Sequence, residues 1–599
     1  MNTQSQHTFH IPVMGLAFTI DSPIKVARFG INSVVSIIED KLIELMRMHY
    51  YKKQNLKYHP ITDKESDYRA KRITDYLNLM NKIIRNQIDV VKNSAFEIGS
   101  DVVKYFEMLP EKNIAKMAYE RMKTSTNSSE RESLISFLRT QIFPGRIDVN
   151  IMTKVDKDNY GNDGNIITDS SDALAALRGY AASNLTNSCI IFSAGLNPRL
   201  FNYLEKLTAF QAKGWGEFEK QIVIKVSDYR SAIIQGKYLA KKGIWVSEFR
   251  IESGLNCGGH AFATDGSLMG PILEEFKAKR NEMSETLHSI YNNALVCKGL
   301  NTYDRPHPIR LTVQGGIGTN EEDEFLRSEY GVDSTGWGTP FLLCPEATTV
   351  EEETLALLCK ADESKITLSK NSPLGIRFHY LKETSSEKEK MQRISKGKPG
   401  SPCTEKHLVS NTEFTKEPIC TASYAYQKRK IAQIETLDLP QAEFEKQYKN
   451  VVSKECLCVG LSNSAITKYG LPHIKHLKAV TICPGPNIVY FDKLVSLQTM
   501  IDHIYGRSNI LEDQDRPHMF IKELKLNVDY LHEQLLDVDR DNAKQCKDLV
   551  NFGKQILTGI SYYRTISRNI QRSERFNTQL TQLEGDVKTS LSNLTPVLV

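Results

Sequence analysis

The sequence contains no run of 18 apolar residues, which excludes a conventional transmembrane helix. Its first seven residues are polar and lack the apolar core of a secretory signal peptide. The chain has 11 cysteines, and an odd number without a secretory signal favours reduced thiols or metal ligands over a disulfide framework. We therefore predict a cytoplasmic protein with no membrane partner.

The sequence also lacks a long basic block. Lys and Arg number 77 against 72 Asp and Glu, a net charge of +5 that is mild for 599 residues. This balance argues against a nucleic-acid partner. With 40% hydrophobic and 25% charged residues the composition is that of a soluble globular protein, and the length predicts two or three domains.

Short apolar segments alternate with helical patterns in two parts of the chain, residues 8–45 and residues 146 onward. Such alternation predicts βα units and a parallel sheet, an α/β fold. The segment between them is charged, poor in glycine and apolar at helical spacing, which predicts a helical insertion that packs on the body or forms a lid. The predicted divisions are a barrel start (1–45), the insertion (46–145), the rest of the barrel (146–370), a cysteine-containing region (371–490) and a helical tail (491–599).

Two glycine-rich segments follow late predicted strands, Gln314-Gly315-Gly316-Ile317 and Gly336-Trp337-Gly338-Thr339. Glycines at strand ends let backbone N–H groups approach a phosphate closely, because no Cβ stands in the way. Two successive ends of this kind are typical of a (β/α)₈ barrel that holds a phosphorylated cofactor after strands 7 and 8. We predict phosphate binding by Gln314, Gly315, Gly316, Gly338 and Thr339, against the plainer reading that these are turn residues.

Together with Cys257-Gly258-Gly259-His260 and Gly331-Val332-Asp333, these segments resemble the FMN-dependent nitronate monooxygenases (2-nitropropane dioxygenases). That family shares its barrel with FMN-dependent enoyl-acyl-carrier-protein reductases. The resemblance covers residues 8–45 and 146–350 and is looser in the first strand, where the family's Pro-Met is not reproduced. It implies an FMN-binding (β/α)₈ TIM barrel, to which this chain adds the inserted helical region and a C-terminal mixed or α extension.

The resemblance also implies the site residues. His260, behind the turn formed by Gly258 and Gly259, would be the catalytic histidine, and its ordinary pKa suits proton transfer near neutral pH. Asn150 would contact the flavin, and Gly15 would pass beside its ring. Lys225 ends an apolar strand, where a cation could stabilise the reduced flavin; a solvated strand-end lysine is the alternative.

Five cysteines fall in the region after the barrel: Cys403, Cys420, Cys456, Cys458 and Cys483. If Cys456 and Cys458 lie in an extended segment, their side chains point to the same side and could share a metal. The spacings match neither the usual zinc pair nor a ferredoxin run, and small buried side chains are the alternative. We expect the five to converge on an iron–sulfur cluster or zinc, with His407 as a further ligand. The charged residues Ser385–Gly400 are predicted to form a loop.

The function that these patterns favour is flavin-dependent oxidation of a small molecule, with a nitronate as the precedent. The alternatives are an NAD(P)H-dependent reductase of an enoyl thioester on the same barrel, and a scaffold subunit that has lost catalysis. The helical tail, with its apolar stripe from Phe520 to Leu535, is a candidate surface for homo-oligomer formation.

Overall fold

In the computed structural model, eight parallel strands close into a barrel. The structure describes residues 5–151, 156–160, 164–186, 188–193, 195–259, 261, 265–402, 404–474, 477–511 and 515–592. The barrel strands are β1 (Phe9–Ile11), β2 (Asn32–Ser36), β3 (Ile147–Ile151), β4 (Ser188–Phe192), β5 (Gln221–Val226), β6 (Glu248–Glu252), β7 (Arg310–Gln314) and β8 (Ser334–Gly336). They pair in chain order, and β8 closes on β1. The predicted α/β barrel is therefore confirmed.

Helices follow the strands on the outside of the barrel, because the chain must cross over from the end of one parallel strand to the start of the next. They are Ser22–Val26 after β1, Asp172–Ala181 after β3, Pro198–Tyr203 after β4, Tyr229–Ala240 after β5, Met269–Ala278 and Arg280–Cys297 after β6, Asn320–Tyr330 after β7 and Glu352–Leu358 after β8. A two-stranded hairpin, Ala212–Gly214 with Glu217–Phe218, lies between β4 and β5.

Five helices lie between β2 and β3: Asp40–Lys53, Tyr68–Asn93, Asp101–Met108, Ile114–Thr124 and Ser128–Thr140. The longest of them packs along Asp172–Ala181, where Gly179 permits close contact because a Cβ there would lie 2.7 Å from the Ala70 carbonyl oxygen. Ile73, Leu77 and Met80 bury the apolar face that the sequence pattern predicted. The inserted helices are thus part of the barrel's outer layer, and the predicted boundaries of the divisions stay predictions.

The C-terminal extension is mixed and then helical. It begins with the hairpin Ile366–Ser369 and Phe378–Leu381 and continues through helices Ser385–Ser395, Tyr424–Glu435, Gln441–Val452, Leu457–Lys468, Leu497–Ile504, Met519–Asp537, Ala543–Ile566 and Ser573–Ser592. Within the described ranges, no helix is both long and apolar enough to cross a membrane.

Two local predictions in this extension are wrong. Ser385–Ser395 is a helix and not a loop: Thr384 caps it by accepting from the Glu387 N–H, and Lys390 lies buried against Glu455 at 3.0 Å. Cys456 and Cys458 are not in an extended segment, since Cys456 is the N-cap residue of helix Leu457–Lys468 and Cys458 lies in its first turn. Tertiary contacts and helix capping cause both differences, and neither can be predicted from the local charge pattern.

Candidate functional site at the carboxyl-terminal mouth of the barrel

Side chains from the ends of β5, β6 and β7 meet inside the carboxyl-terminal mouth of the barrel. Lys225 Nζ lies 3.2 Å from Glu252 Oε1, and the same oxygen accepts hydrogen bonds of 2.7 Å from the amides of Gln314 and Asn256. Glu252 and Gln314 are register partners on β6 and β7, so the parallel pairing itself places them together. Active sites of (β/α)₈ barrels are built at this end of the strands.

Two further strands of the barrel, β2 and β3, contribute buried polar groups that have no partner among the described residues. Ser36 and Asn150 are register partners at the ends of β2 and β3. The Ser36 Oγ and Asn150 Oδ1 atoms are buried and make no hydrogen bond within the described part of the chain. An unpaired buried polar group costs stability and is a common mark of a site that binds a polar ligand.

A layer of charged side chains lies below this mouth, nearer the amino-terminal end of the barrel. Glu248 is 2.6 Å from Arg250, 2.9 Å from Arg146 and 3.0 Å from Arg310. Asp148 is 2.7 Å from Arg146 and 3.2 Å from Arg250. The sequence did contain a signal for this layer, which the sequence analysis missed. Charged residues occupy alternate positions of strand β6 and therefore share one face of it; they are Glu248, Arg250 and Glu252.

His10, on β1, is held neutral above the charged layer. Burial lowers its pKa well below the ordinary histidine range, and the Arg250 guanidinium lowers it further. The same layer holds the pKa of Glu248 far below its ordinary value: burial raises it, but Arg250 and Arg146 outweigh burial. The floor of the mouth therefore carries fixed charges and one neutral imidazole at physiological pH.

The first glycine-rich strand end forms a turn whose backbone requires glycine, and the second is closely packed. Gly315 and Gly316 have φ values of +107° and +84°, in the left-handed region that glycine adopts most easily. A Cβ on Gly316 would lie 2.5 Å from Leu255 Cδ1, and one on Gly338 would lie 3.3 Å from Cys257 Cβ. Turn geometry and close packing therefore explain why glycine occurs at these positions. The phosphate-binding roles of these residues stay predictions.

The C-terminal extension covers these strand ends. The Thr339 hydroxyl donates to the Pro484 carbonyl at 2.6 Å, and the Gly258 N–H donates to the Cys483 carbonyl at 3.0 Å. Arg516 donates to the Gly316 carbonyl at 2.7 Å and pairs with Glu322, also at 2.7 Å. The segment around residues 483–487 therefore lies against the turns that the sequence assigned to a phosphate.

Of the remaining predicted residues, Gly15 and Gly258 are in contact: a Cβ on Gly258 would lie 3.0 Å from the Gly15 N atom. Gly259 follows in the same turn. His260, the predicted catalytic residue, lies outside the described residues. The Ala261 N–H, one residue beyond it, donates to the Arg377 carbonyl at 3.1 Å, so the hairpin of the extension lies beside this turn as well.

Four of the five predicted metal-binding cysteines lie in the described part of the chain. The neighbouring Cys456 thiol and burial raise the pKa of the Cys458 thiol, and Cys420 raises it further. Cys483 is beside the barrel instead, where its carbonyl accepts from the Cys257 thiol at 3.3 Å. Cys403 lies outside the described residues. The convergence of the five on one metal stays a prediction; the possible metal ligands that the described residues bring within 4.8 Å of one another are Glu39, Glu405 and His407.

No known protein family matches this chain, and no curated protein matches it. Among solved structures it is similar to the enoyl reductase domain of MlnA from the macrolactin biosynthesis cluster of Bacillus amyloliquefaciens, with 16% identity, a TM-score of 0.34, and coverage of 69% of this chain and 90% of that one. It is also similar to nitroalkane oxidase from Streptomyces ansochromogenes, with 9% identity, a TM-score of 0.32, and coverage of 83% and 94%. TM-scores this low carry no argument about the activity of this chain.

Proposed function

We propose that this chain is a flavin-dependent oxidoreductase that acts on a small molecule at the carboxyl-terminal mouth of its barrel. The observation that carries the proposal is that the Lys225–Glu252 pair and the buried, unpaired polar atoms of Ser36 and Asn150 all lie near the carboxyl ends of barrel strands. A cation and unpaired polar groups in one buried mouth suit a polar ring that gains negative charge on reduction better than they suit a structural core.

The proposed cofactor is FMN, which would supply an acceptor for two electrons when bound. The residues of the mouth fit the polar edge of its ring, since Lys225 offers a positive charge and Gln314 and Asn256 offer amides. The Thr339 hydroxyl, predicted to bind the FMN phosphate, already donates its hydrogen bond to the Pro484 carbonyl. We therefore assign the ring edge to the mouth residues and assign no phosphate contact to Thr339.

In this proposal, the chain's own groups bind and orient the substrate and move its proton. His260 would remove a proton from the carbon next to a nitro or carbonyl group, the step for which the sequence selects it. Glu252 accepts from Gln314 and Asn256 and pairs with Lys225, so it holds all three side chains in position. The covering segment of the C-terminal extension would exclude water from the mouth.

Flavin content after purification, and after reconstitution with FMN, tests the cofactor. We expect about one flavin per barrel, because such barrels have a single mouth, and Lys225→Met should weaken flavin binding or slow its reduction. Lys237→Met is the matched control, since Lys237 is exposed on the helix that follows β5. Purified and reconstituted protein that holds no flavin would refute the proposal.

Substrate assays separate the finer readings. Oxidation of a nitronate by O₂ without NAD(P)H supports the nitronate monooxygenase type. Steady NAD(P)H consumption with an enoyl thioester supports the reductase instead. His260→Ala should retain flavin and slow its reduction by about 10²–10⁴-fold, the usual contribution of a general acid or base; an unchanged reduction rate would refute the role of His260.

A further inference from the structure

A small cavity lies between the barrel and the C-terminal extension. Its volume is about 60 Å³, and we refer to it as the side cavity. The barrel contributes Gly15, which follows β1, and Gly258, which follows β6. The extension contributes residues of its hairpin, of helix Leu457–Lys468 and of the segment 481–483. The fold and not the local chain therefore assembles the side cavity, and it does so at the carboxyl-terminal end of the strands.

The wall of the side cavity is mostly apolar. Its aromatic and aliphatic members are Phe18, Phe378, Leu457, Leu461 and Ile482. Tyr380 also lines the space, but its hydroxyl is already used, since it donates to Glu455 at 3.0 Å. A buried water needs about two to four polar partners, and this wall offers few of them. An apolar group is therefore a better occupant of the side cavity than water.

One wall residue, Thr481, has an unpaired hydroxyl. Thr481 is 1% exposed, and its Oγ1 atom makes no hydrogen bond within the described part of the chain. The rest of the residue is held against helix Leu457–Lys468: its N–H donates to the Gly460 carbonyl at 3.2 Å, and its Cγ2 atom would lie 2.9 Å from a Cβ on Gly460. An unpaired buried hydroxyl costs stability unless a ligand satisfies it. Thr481 thus offers one hydrogen bond in an otherwise apolar space.

Glycine backbone forms the side of the cavity that faces the barrel. A Cβ on Gly15 would lie 3.7 Å from Leu461 Cδ2, and one on Gly258 would lie 3.0 Å from the Gly15 N atom. The Gly258 N–H donates to the Cys483 carbonyl at 3.0 Å, which holds the extension against this turn. Because no side chain stands at either glycine, a molecule bound at the mouth could place one end in the side cavity.

We propose that the side cavity receives the apolar end of the substrate, an alkyl group of about two or three carbon atoms next to a hydrogen-bonding atom. An apolar cavity of about 150 Å³ holds a ring of about six carbon atoms, so 60 Å³ admits roughly half as many. Thr481 would bond to the polar atom. The inference rests on the proposed function, because it takes the mouth as the place of reaction. It adds that the extension sets the length of the substrate.

Binding of 1-propanol to the full chain, followed by saturation-transfer NMR, tests the cavity without catalysis. The probe has a short alkyl chain and a hydroxyl that can bond to Thr481. Leu461→Trp should fill the cavity and abolish binding, whereas Leu494→Trp, at a leucine that is 50% exposed, should retain it. If Leu461→Trp fails to fold, Thr481→Val is the milder change, and it should weaken binding about 2–10-fold, as loss of one hydrogen bond does. Unchanged binding in folded Leu461→Trp, or in Thr481→Val, would overturn the proposal.

A series of linear nitronates or enoyl thioesters of increasing chain length tests the same cavity during turnover. The KM should be lowest for the alkyl length that fits the cavity and should rise for longer chains. Leu461→Ala enlarges the cavity and should move the minimum to longer chains, whereas Leu494→Ala should leave it in place. The same minimum in Leu461→Ala as in the wild type would overturn the proposal. Protein that holds no flavin, but whose binding of 1-propanol is abolished in Leu461→Trp, would refute the proposed function and still support the cavity as a site for a short alkyl group.

Discussion

Replacing Glu248 by glutamine should strongly destabilise the barrel. The carboxylate is fully buried and contacts Arg250, Arg146 and Arg310 at 2.6–3.0 Å. Three guanidinium groups face two carboxylates in the wild-type layer and would face one in the variant. Removing one partner of a buried ion network leaves uncompensated charge and typically costs about 3–5 kcal/mol. We expect a loss of this size in the free energy of unfolding.

Equilibrium unfolding in urea, followed by tryptophan fluorescence, measures the loss. Trp245 and Trp337 are buried at the barrel and report on its unfolding. The matched control is Glu353→Gln, because Glu353 is 59% exposed and pairs with an exposed lysine, a kind of pair worth about 0–1 kcal/mol. A loss below about 1 kcal/mol for Glu248→Gln, at an unchanged denaturant slope, would refute the role given to the charged layer.

Two further stability predictions follow from buried groups. Burial raises the pKa of Glu523 from 4.5 to about 7, so the folded state holds a proton that the unfolded state releases between these values. Stability should fall by about 3 kcal/mol as pH rises through this window, and Glu523→Gln should remove this part of the pH dependence in urea titrations; an equal slope in the variant would contradict it. Gly316→Ala should cost about 1–3 kcal/mol because of its positive φ and the contact with Leu255. Gly375→Ala, at φ +74° in open space, should cost less in the same assay, and equal losses would contradict the contact argument.

The sequence determined the barrel, because strand and helix periodicities are local. The alternation of short apolar segments with helical patterns predicted the parallel strands, and the helical spacing of Ile73, Leu77 and Met80 predicted the face that is buried. A turn at Gly315 and Gly316 could also be predicted from the sequence, because the positive φ of these glycines is a local property of the turn.

Tertiary structure alone decided what these local elements bring together. Closure of the barrel placed Glu252 against Lys225, Gln314 and Asn256, and no spacing along the chain reports a partner on another strand. The extension bonded Pro484 to Thr339 across 145 positions, placed Cys483 beside Cys257 and left Cys456 at a helix start. Periodicity fixes which face of an element is buried, but only packing decides which side chains share a site.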